Sequence, residues 1–235
     1  EGWFHMITWS PDSTQLATSN VFEFTVSIFD TTTGEHVLTF GEPDCFKHAD
    51  WSPDGTRIAT GCYIAETEAA PVRIWDAATG EELLSMDSPG GDTTLVEWSP
   101  DGTRLASGHT GGMAVVWDAA TGEPLLTFAG HNEWVWDVTW SPDGGRIASG
   151  DFSGIVKVWD AATGAEVLSF QAPSEVMRLD WSPDGHFLTV AGNFNAPMVQ
   201  PVWQSTEDLI EYAYDCCVFR DLTVEERAQF MLEQR

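Results

Sequence analysis

The chain has 235 residues, with 10 Lys and Arg against 37 Asp and Glu, a formal net charge of −27 at pH 7. That balance excludes the basic footprint of a nucleic-acid-binding domain and has the wrong sign for an anionic membrane surface. With 43 % apolar residues and 12 Trp there is volume for a large core, so the charge does not mark a disordered chain.

From the N-terminus onward the sequence repeats itself. Trp-Ser-Pro-Asp recurs at Trp9, Trp51, Trp98, Trp140 and Trp181, at spacings of 42, 47, 42 and 41 residues. Between these lie Phe29-Asp30, Trp75-Asp76, Trp117-Asp118 and Trp159-Asp160, each followed by Thr-Gly at Thr33-Gly34, Thr79-Gly80, Thr121-Gly122 and Thr163-Gly164. The units run over about 1–41, 42–88, 89–130, 131–172 and 173–204.

The first unit opens directly on the strand that leads to Trp9. The second carries a longer hairpin, residues 62–71, made acidic by Glu66 and Glu68; insertions in repeat arrays often lie on the binding face, although a plain solvated loop fits as well. The fourth unit is the clearest. It predicts strands over 134–140, 146–149, 155–159 and 166–170, separated by a Ser-Pro-Asp-Gly turn, a short hairpin and an Asp-Ala-Ala-Thr-Gly turn. Four short antiparallel strands repeated every 41 to 47 residues describe an all-β propeller of five blades. The fifth unit reaches its third strand, 198–203, and lacks a fourth, so the missing strand and further blades are expected N-terminal to Glu1. Residues 205–235 change period: Ser205 starts one predicted helix and the Thr-x-x-Glu box at Thr223 starts a second, forming a short helical C-terminal tail.

Val72-Arg73-Ile74-Trp75-Asp76 and Gly130-His131, together with five tandem copies, resemble the WD-repeat β-propeller family over residues 1 to about 204. The Ser-Pro-Asp-Gly turn is shared with Pro-Asp propeller repeats, but the Trp-Asp pairs favour the WD type. The resemblance implies a buried tetrad of Asp, His, Ser or Thr, and Trp. His131, Ser149 and Trp159 take three of its places, while Ser153 stands where the hairpin Asp is expected, with Glu23, Ala69 and Gly111 elsewhere. Incomplete networks are therefore expected. Residues 208–230 also resemble the C-terminal tail of bacterial multidomain proteins in which a WD propeller follows an effector or signalling region.

In this family partners dock on the rim where the first strand of each blade begins. Here that rim carries Trp3, Cys45, Asp92, Trp134 and Glu175, followed two residues later by His5, Lys47, Thr94, Trp136 and Met177. Exposed aromatics at a rim serve as interface anchors, or they fill gaps between blades. Trp136 is the stronger binding candidate, because Val135, Val138 and Trp140 already occupy the buried positions of its strand. The expected partner-binding set is Trp3, His5, Trp134, Trp136, Glu175, Met177, Glu66 and Glu68.

No P-loop, zincin or nucleophile-elbow motif is present, and the six His make no cluster, so neither catalytic residues, cofactor nor metal is expected. Nine Asp are taken up by the repeat turns, where they bind turn amides. The four cysteines, Cys45, Cys62, Cys216 and Cys217, form no C-x-x-C pair and read as free thiols in a reducing, cytoplasmic compartment. No apolar run approaches the roughly 18 residues of a membrane span. The expected function is a non-catalytic protein-interaction or ligand-sensing module of a bacterial signalling or defence protein, whose partners are a protein or peptide and upstream domains of the same polypeptide, with oligomers allowed. The alternatives are a scaffold that closes by pairing with another chain, or an enzyme with its site in the propeller channel.

Overall fold

A computed structural model describes residues 4–20, 25–41, 46–63, 70–193, 196–203 and 210. The chain divides into two compact parts, Glu1–Gln200 and Pro201–Arg235. The helices expected over 205–235 lie outside the described residues, apart from Ile210.

Five antiparallel sheets follow one another along the sequence, each a simple meander. Blade 1 is β1 (Phe4–Trp9), β2 (Gln15–Asn20), β3 (Thr25–Asp30) and β4 (His36–Phe40). Blade 2 is β5 (Phe46–Trp51), β6 (Arg57–Tyr63), β7 (Val72–Asp76) and β8 (Glu82–Met86). Blade 3 is β9 (Thr93–Trp98), β10 (Arg104–His109), β11 (Ala114–Asp118) and β12 (Pro124–Phe128). Blade 4 is β13 (Val135–Trp140), β14 (Arg146–Asp151), β15 (Ile155–Asp160) and β16 (Glu166–Gln171). Blade 5 holds three strands, β17 (Arg178–Trp181), β18 (Phe187–Ala191) and β19 (Met198–Pro201).

The turns that set these hairpins are built from the repeated Asp residues. In each Ser-Pro-Asp turn the Asp accepts the Ser hydroxyl, at 2.7 Å for Ser10–Asp12, 2.6 Å for Ser52–Asp54, Ser99–Asp101 and Ser141–Asp143, and 2.5 Å for Ser182–Asp184. The Asp that ends each third strand accepts amides two and three residues on, as Asp118 does from Ala120 and Thr121. The residue after the turn Asp sits in the left-handed region, which Gly55, Gly102, Gly144 and Gly185 adopt freely; blade 1 places Ser13 there at φ 61°.

Blades pack through their first strands, and in blades 2 to 5 the Trp of the Ser-Pro-Asp turn fills the seam. Trp98 clusters with Ala59, Val72 and Ile74 of blade 2, and Trp140 with Leu95, Ala106 and Val116 of blade 3. Trp51, Trp98, Trp140 and Trp181 are all buried, as the repeat implies. Trp9 and Ile7, with no blade before them among the described residues, are 59 % and 58 % exposed. Blade 5 reaches blade 1 through Arg178, whose Nη2 lies 3.4 Å from Met6 Sδ.

Cys62 corrects the expectation of free thiols: it is buried beside Ala70 and disulfide-bonded. Among the described residues it is the only cysteine, so its partner lies outside them.

Candidate functional site

The tetrad in blade 4 is complete, which corrects the expectation of an incomplete network. Trp159 Nε1 donates to Ser149 Oγ at 2.8 Å, Ser149 Oγ meets His131 Nε2 at 2.7 Å, and His131 Nδ1 meets Asp151 Oδ2 at 2.9 Å. The acid is Asp151, the last residue of β14, and not the hairpin position Ser153. Its other oxygen, Oδ1, accepts the amides of Ser153 and Ile155 at 2.9 Å each and the Ser153 hydroxyl at 2.7 Å. One carboxylate thus holds both the buried histidine and the tip of the hairpin. Burial pulls the His131 imidazole below its ordinary range, against the opposing pull of Asp151.

Blade 3 builds a variant. Trp117 Nε1 donates to Ser107 Oγ at 2.7 Å, and Ser107 meets Nε2 of His109, which comes from the end of β10 rather than from the loop before the blade. Ser88 supplies the Nδ1 partner at 2.8 Å, and burial pushes His109 down to about 4. Blade 2 keeps the bond of this set from Trp75 Nε1 to Thr60 Oγ1, at 2.8 Å. In blade 1 the Phe29 ring has no N–H to give, and Thr18 donates to the Ser27 carbonyl instead.

A second set of polar side chains was not anticipated from the repeat. Asp50, Glu97 and Asp137 each accept a backbone amide of the next blade: Asp50 from Trp98 at 2.9 Å, Glu97 from Trp140 at 3.1 Å, Asp137 from Leu179 at 2.7 Å. One carboxylate therefore bridges each of three consecutive seams. Desolvation raises Asp50 to about 6 and Asp137 to about 7, and it lifts Glu97 well above the carboxylate range, with Asp50 adding to that rise. Arg178 Nη1 stands 3.8 Å from Asp137 and partly offsets its burial.

At the end of the strands where the first strand of each blade begins, blade 4 presents three aromatic rings. Trp134 is 41 % exposed, Phe152 is 50 % exposed, and Trp136 is half-buried. Phe152 lies 6.5 Å from Trp134 and 6.2 Å from Trp136 between ring centroids, both tilted. The hydrogen bond from Phe152 N to Trp134 O at 3.0 Å fixes the hairpin tip to the start of the strand, and the Asp151 amide cage sets the tip itself. Trp136 continues into a cavity of about 270 Å³ lined by Met6, His48, Thr94, Leu95, Trp136, Met177 and Arg178, to which every blade contributes.

Of the predicted rim residues, the structure brings Trp134, Trp136 and Met177 to one region. Glu175 is half-buried on the same rim position of blade 5. His5 lies in β1, with its side chain outside the description, and Trp3, Glu66 and Glu68 fall outside the described residues. Sequence reasoning missed Phe152, Arg178 and Met6. The signal for Phe152 was a large aromatic in the hairpin of the best-matched blade, where its neighbours are Asp, Ser and Gly. Among the described residues no three His, Cys, Asp or Glu side chains come together to hold a metal, and no helix is long and apolar enough to cross a membrane.

Residues 84–118, 122–160 and 164–195 match the family model described as WD domain, G-beta repeat. Three stretches of the chain are thus similar to WD repeats. A relative of those WD repeats, Protein tipD of Dictyostelium discoideum, is 34 % identical over 86 residues, covering 34 % of this chain and 13 % of that protein. Among solved structures, a chain of the Crystal Structure of Mitotic Checkpoint Complex superposes with a TM-score of 0.76 at 23 % identity, over 86 % of this chain and 62 % of its own. That likeness shows the fold, a β-propeller. The chain spans 13 % of the curated relative and 62 % of the structural one.

Proposed function

We propose that this WD-repeat chain is a non-catalytic interaction module that docks a basic protein segment on the aromatic rim of blade 4. The observation that carries the reading is the Trp134, Trp136 and Phe152 cluster, with two rings about half in solvent at a hairpin whose backbone is fixed. Rigid aromatic faces bind apolar groups and also cations through their π systems. The exposed Glu133 beside Trp134 and the net charge of −27 favour a partner rich in Lys and Arg.

That the module serves a bacterial signalling or defence protein, and acts in the cytoplasm with upstream domains of the same polypeptide, is supported by the likeness of residues 208–230 alone. That the sheets belong to a larger ring is supported by the uncovered Ile7 and Trp9, which stand where Val96-Trp98 and Val138-Trp140 are covered by a preceding blade.

The test uses a panel of peptides carrying Arg or Lys beside an aromatic residue, titrated against the parent, Trp134→Ala and Phe152→Ala. Saturable binding that weakens as salt is raised is expected for the parent. Each substitution should cost about 1–3 kcal/mol of binding, with Tm held within about 2 °C because both rings are exposed. Unchanged affinity in both variants, or early unfolding of both, contradicts the reading.

A further inference from the structure

The end of the blades opposite the aromatic rim repeats a second device, and one seam leaves it unfinished. Arg57, at the start of β6, lies over the Trp98 ring of blade 3 at 4.5 Å from its centroid. Its guanidinium donates to the carbonyls of Ala119 at 3.3 Å and Gly102 at 3.2 Å. Arg104 repeats this on blade 4: it stands 4.6 Å from the Trp140 centroid and donates to Ala161 and Gly144, each at 3.2 Å. The same two arginines face the turn Asp of their own blades, Asp54 and Asp101, and help hold those carboxyls low. Each of these two seams is thus closed by one planar cation stacked on an indole and forked across two carbonyls, a task for which guanidinium is shaped.

Between blades 1 and 2 the equivalent residue is Gln15. The corresponding parts of the seat are present: Trp51, the turn residue Gly55, and Ala77 after the Trp-Asp pair. The width of the seam at this end is also the same. A Cβ placed on Gly55 would lie 3.6 Å from Pro11 Cδ, against 3.5 Å for Gly102 to Pro53 and 3.7 Å for Gly144 to Pro100. What differs is the filling. Gln15 is shorter and uncharged, and a cavity of about 350 Å³ opens among Pro11, Asp12, Gln15, Pro53, Asp54 and Gly55. Asp12 is ionised through its Ser10 and Thr14 hydrogen bonds, as Asp54 is through Ser52 and Thr56, so two negative charges border the space. A separate observation marks the same seam. Trp98, Trp140 and Trp181 donate their indole N–H to the preceding blade, at Asp50 O, Glu97 O and Thr139 O, whereas Trp51 Nε1 is buried without a partner.

We propose that the cavity between blades 1 and 2 is a seat for an arginine side chain of a partner protein, stacked toward Trp51, forked across the Gly55 and Ala77 carbonyls and facing Asp12 and Asp54. The two filled seams show the pose. Entry requires only that the Gln15 carboxamide, which no hydrogen bond to a described residue holds, swings aside. Lysine fits less well, because a point charge on a flexible stem cannot span both carbonyls in one plane. The site lies at the other end of the strands from the aromatic rim, and its test stands apart from that one.

The experiment titrates N-acetyl-argininamide, with the lysine analogue as control, into the full chain and follows the backbone amides of Gly55 and Ala77 by NMR. Saturable shifts in the millimolar range are expected with argininamide, and at least about threefold weaker ones with the lysine analogue. Gln15→Ala should tighten binding. Gln15→Arg should abolish it by filling the seat from within, while raising Tm by about 2–4 °C as the third clamp forms. Asp12→Asn keeps the turn acceptor and should weaken binding severalfold, which serves as the readout if Gln15→Arg does not fold. Absence of saturable shifts in the parent, or equal binding in the parent and in Gln15→Arg or Asp12→Asn, overturns the proposal.

Discussion

Asp137, Asp50 and Glu97 are charged residues in strands whose neighbours are apolar, and in each the carboxylate was legible while its use was not. Pattern alone places them on the inner strand; only the arrangement of two blades shows the amide that each accepts. The tetrad illustrates the opposite error. His131, Ser149 and Trp159 were readable, but the acid was sought in the hairpin, and a strand-end Asp that serves the hairpin and the histidine at once leaves no distinct spacing signal. These carboxylates fix a pH dependence. Asp50 at about 6 and Asp137 at about 7 stand above the ordinary 3.8 of an unfolded Asp, so the stability they lend is complete below about pH 4 and lost as pH rises through 6 and 7. The turn residues act in reverse. Asp54, at about 2, contributes fully above about pH 4 and fails as pH falls toward 2. Asp137→Asn retains an oxygen for Leu179 N and should lessen the fall in Tm between pH 5 and pH 8; a parent and variant with parallel profiles would show that Asp137 is not the titrating group.

Strand boundaries were legible to within one or two residues, because Ser-Pro-Asp turns and Asp-x-x-Thr-Gly turns punctuate every blade with its own hydrogen bonds. Predicted 155–159 and observed Ile155–Asp160 differ by one residue, and predicted 146–149 extends to Asp151 because Gly150 and Asp151 still pair with β13. Less legible was which copy of a repeated residue does the same work. Trp140 and Trp9 occupy one position of the repeat, yet Trp140 is 4 % exposed and Trp9 is 59 % exposed. Removing the buried ring vacates the seam between blades 3 and 4, so Trp140→Ala should cost about 3–5 kcal/mol in chemical denaturation. Trp9→Ala should cost under about 1 kcal/mol, as for other exposed sites. Similar losses at both positions would mean that Trp9 is covered in solution.

Across the whole chain, net charge and seam construction pull in different directions. At −27 the folded state gathers like charges that the unfolded chain spreads apart, so screening should favour folding. Tm should rise between 10 mM and 500 mM sodium chloride at pH 7.5, and a flat response would show that the charges are already balanced locally by the turn hydrogen bonds. The seams themselves are unequal. Among the described residues, the two seams that flank blade 3 are each clamped by an arginine, the seams from blade 2 to blade 5 carry a bridging carboxylate, and the first has neither device nor an acceptor for its Trp51 N–H. Ser19 adds to this, standing where blades 2 to 4 have Gly61, Gly108 and Gly150, at which a Cβ would come within 2.3–3.0 Å of the next blade. A load applied along the polypeptide would meet these joints as links of different strength. The joint between the first two blades would part at the lowest force, releasing the first blade while the later ones, still fastened, carried the tension.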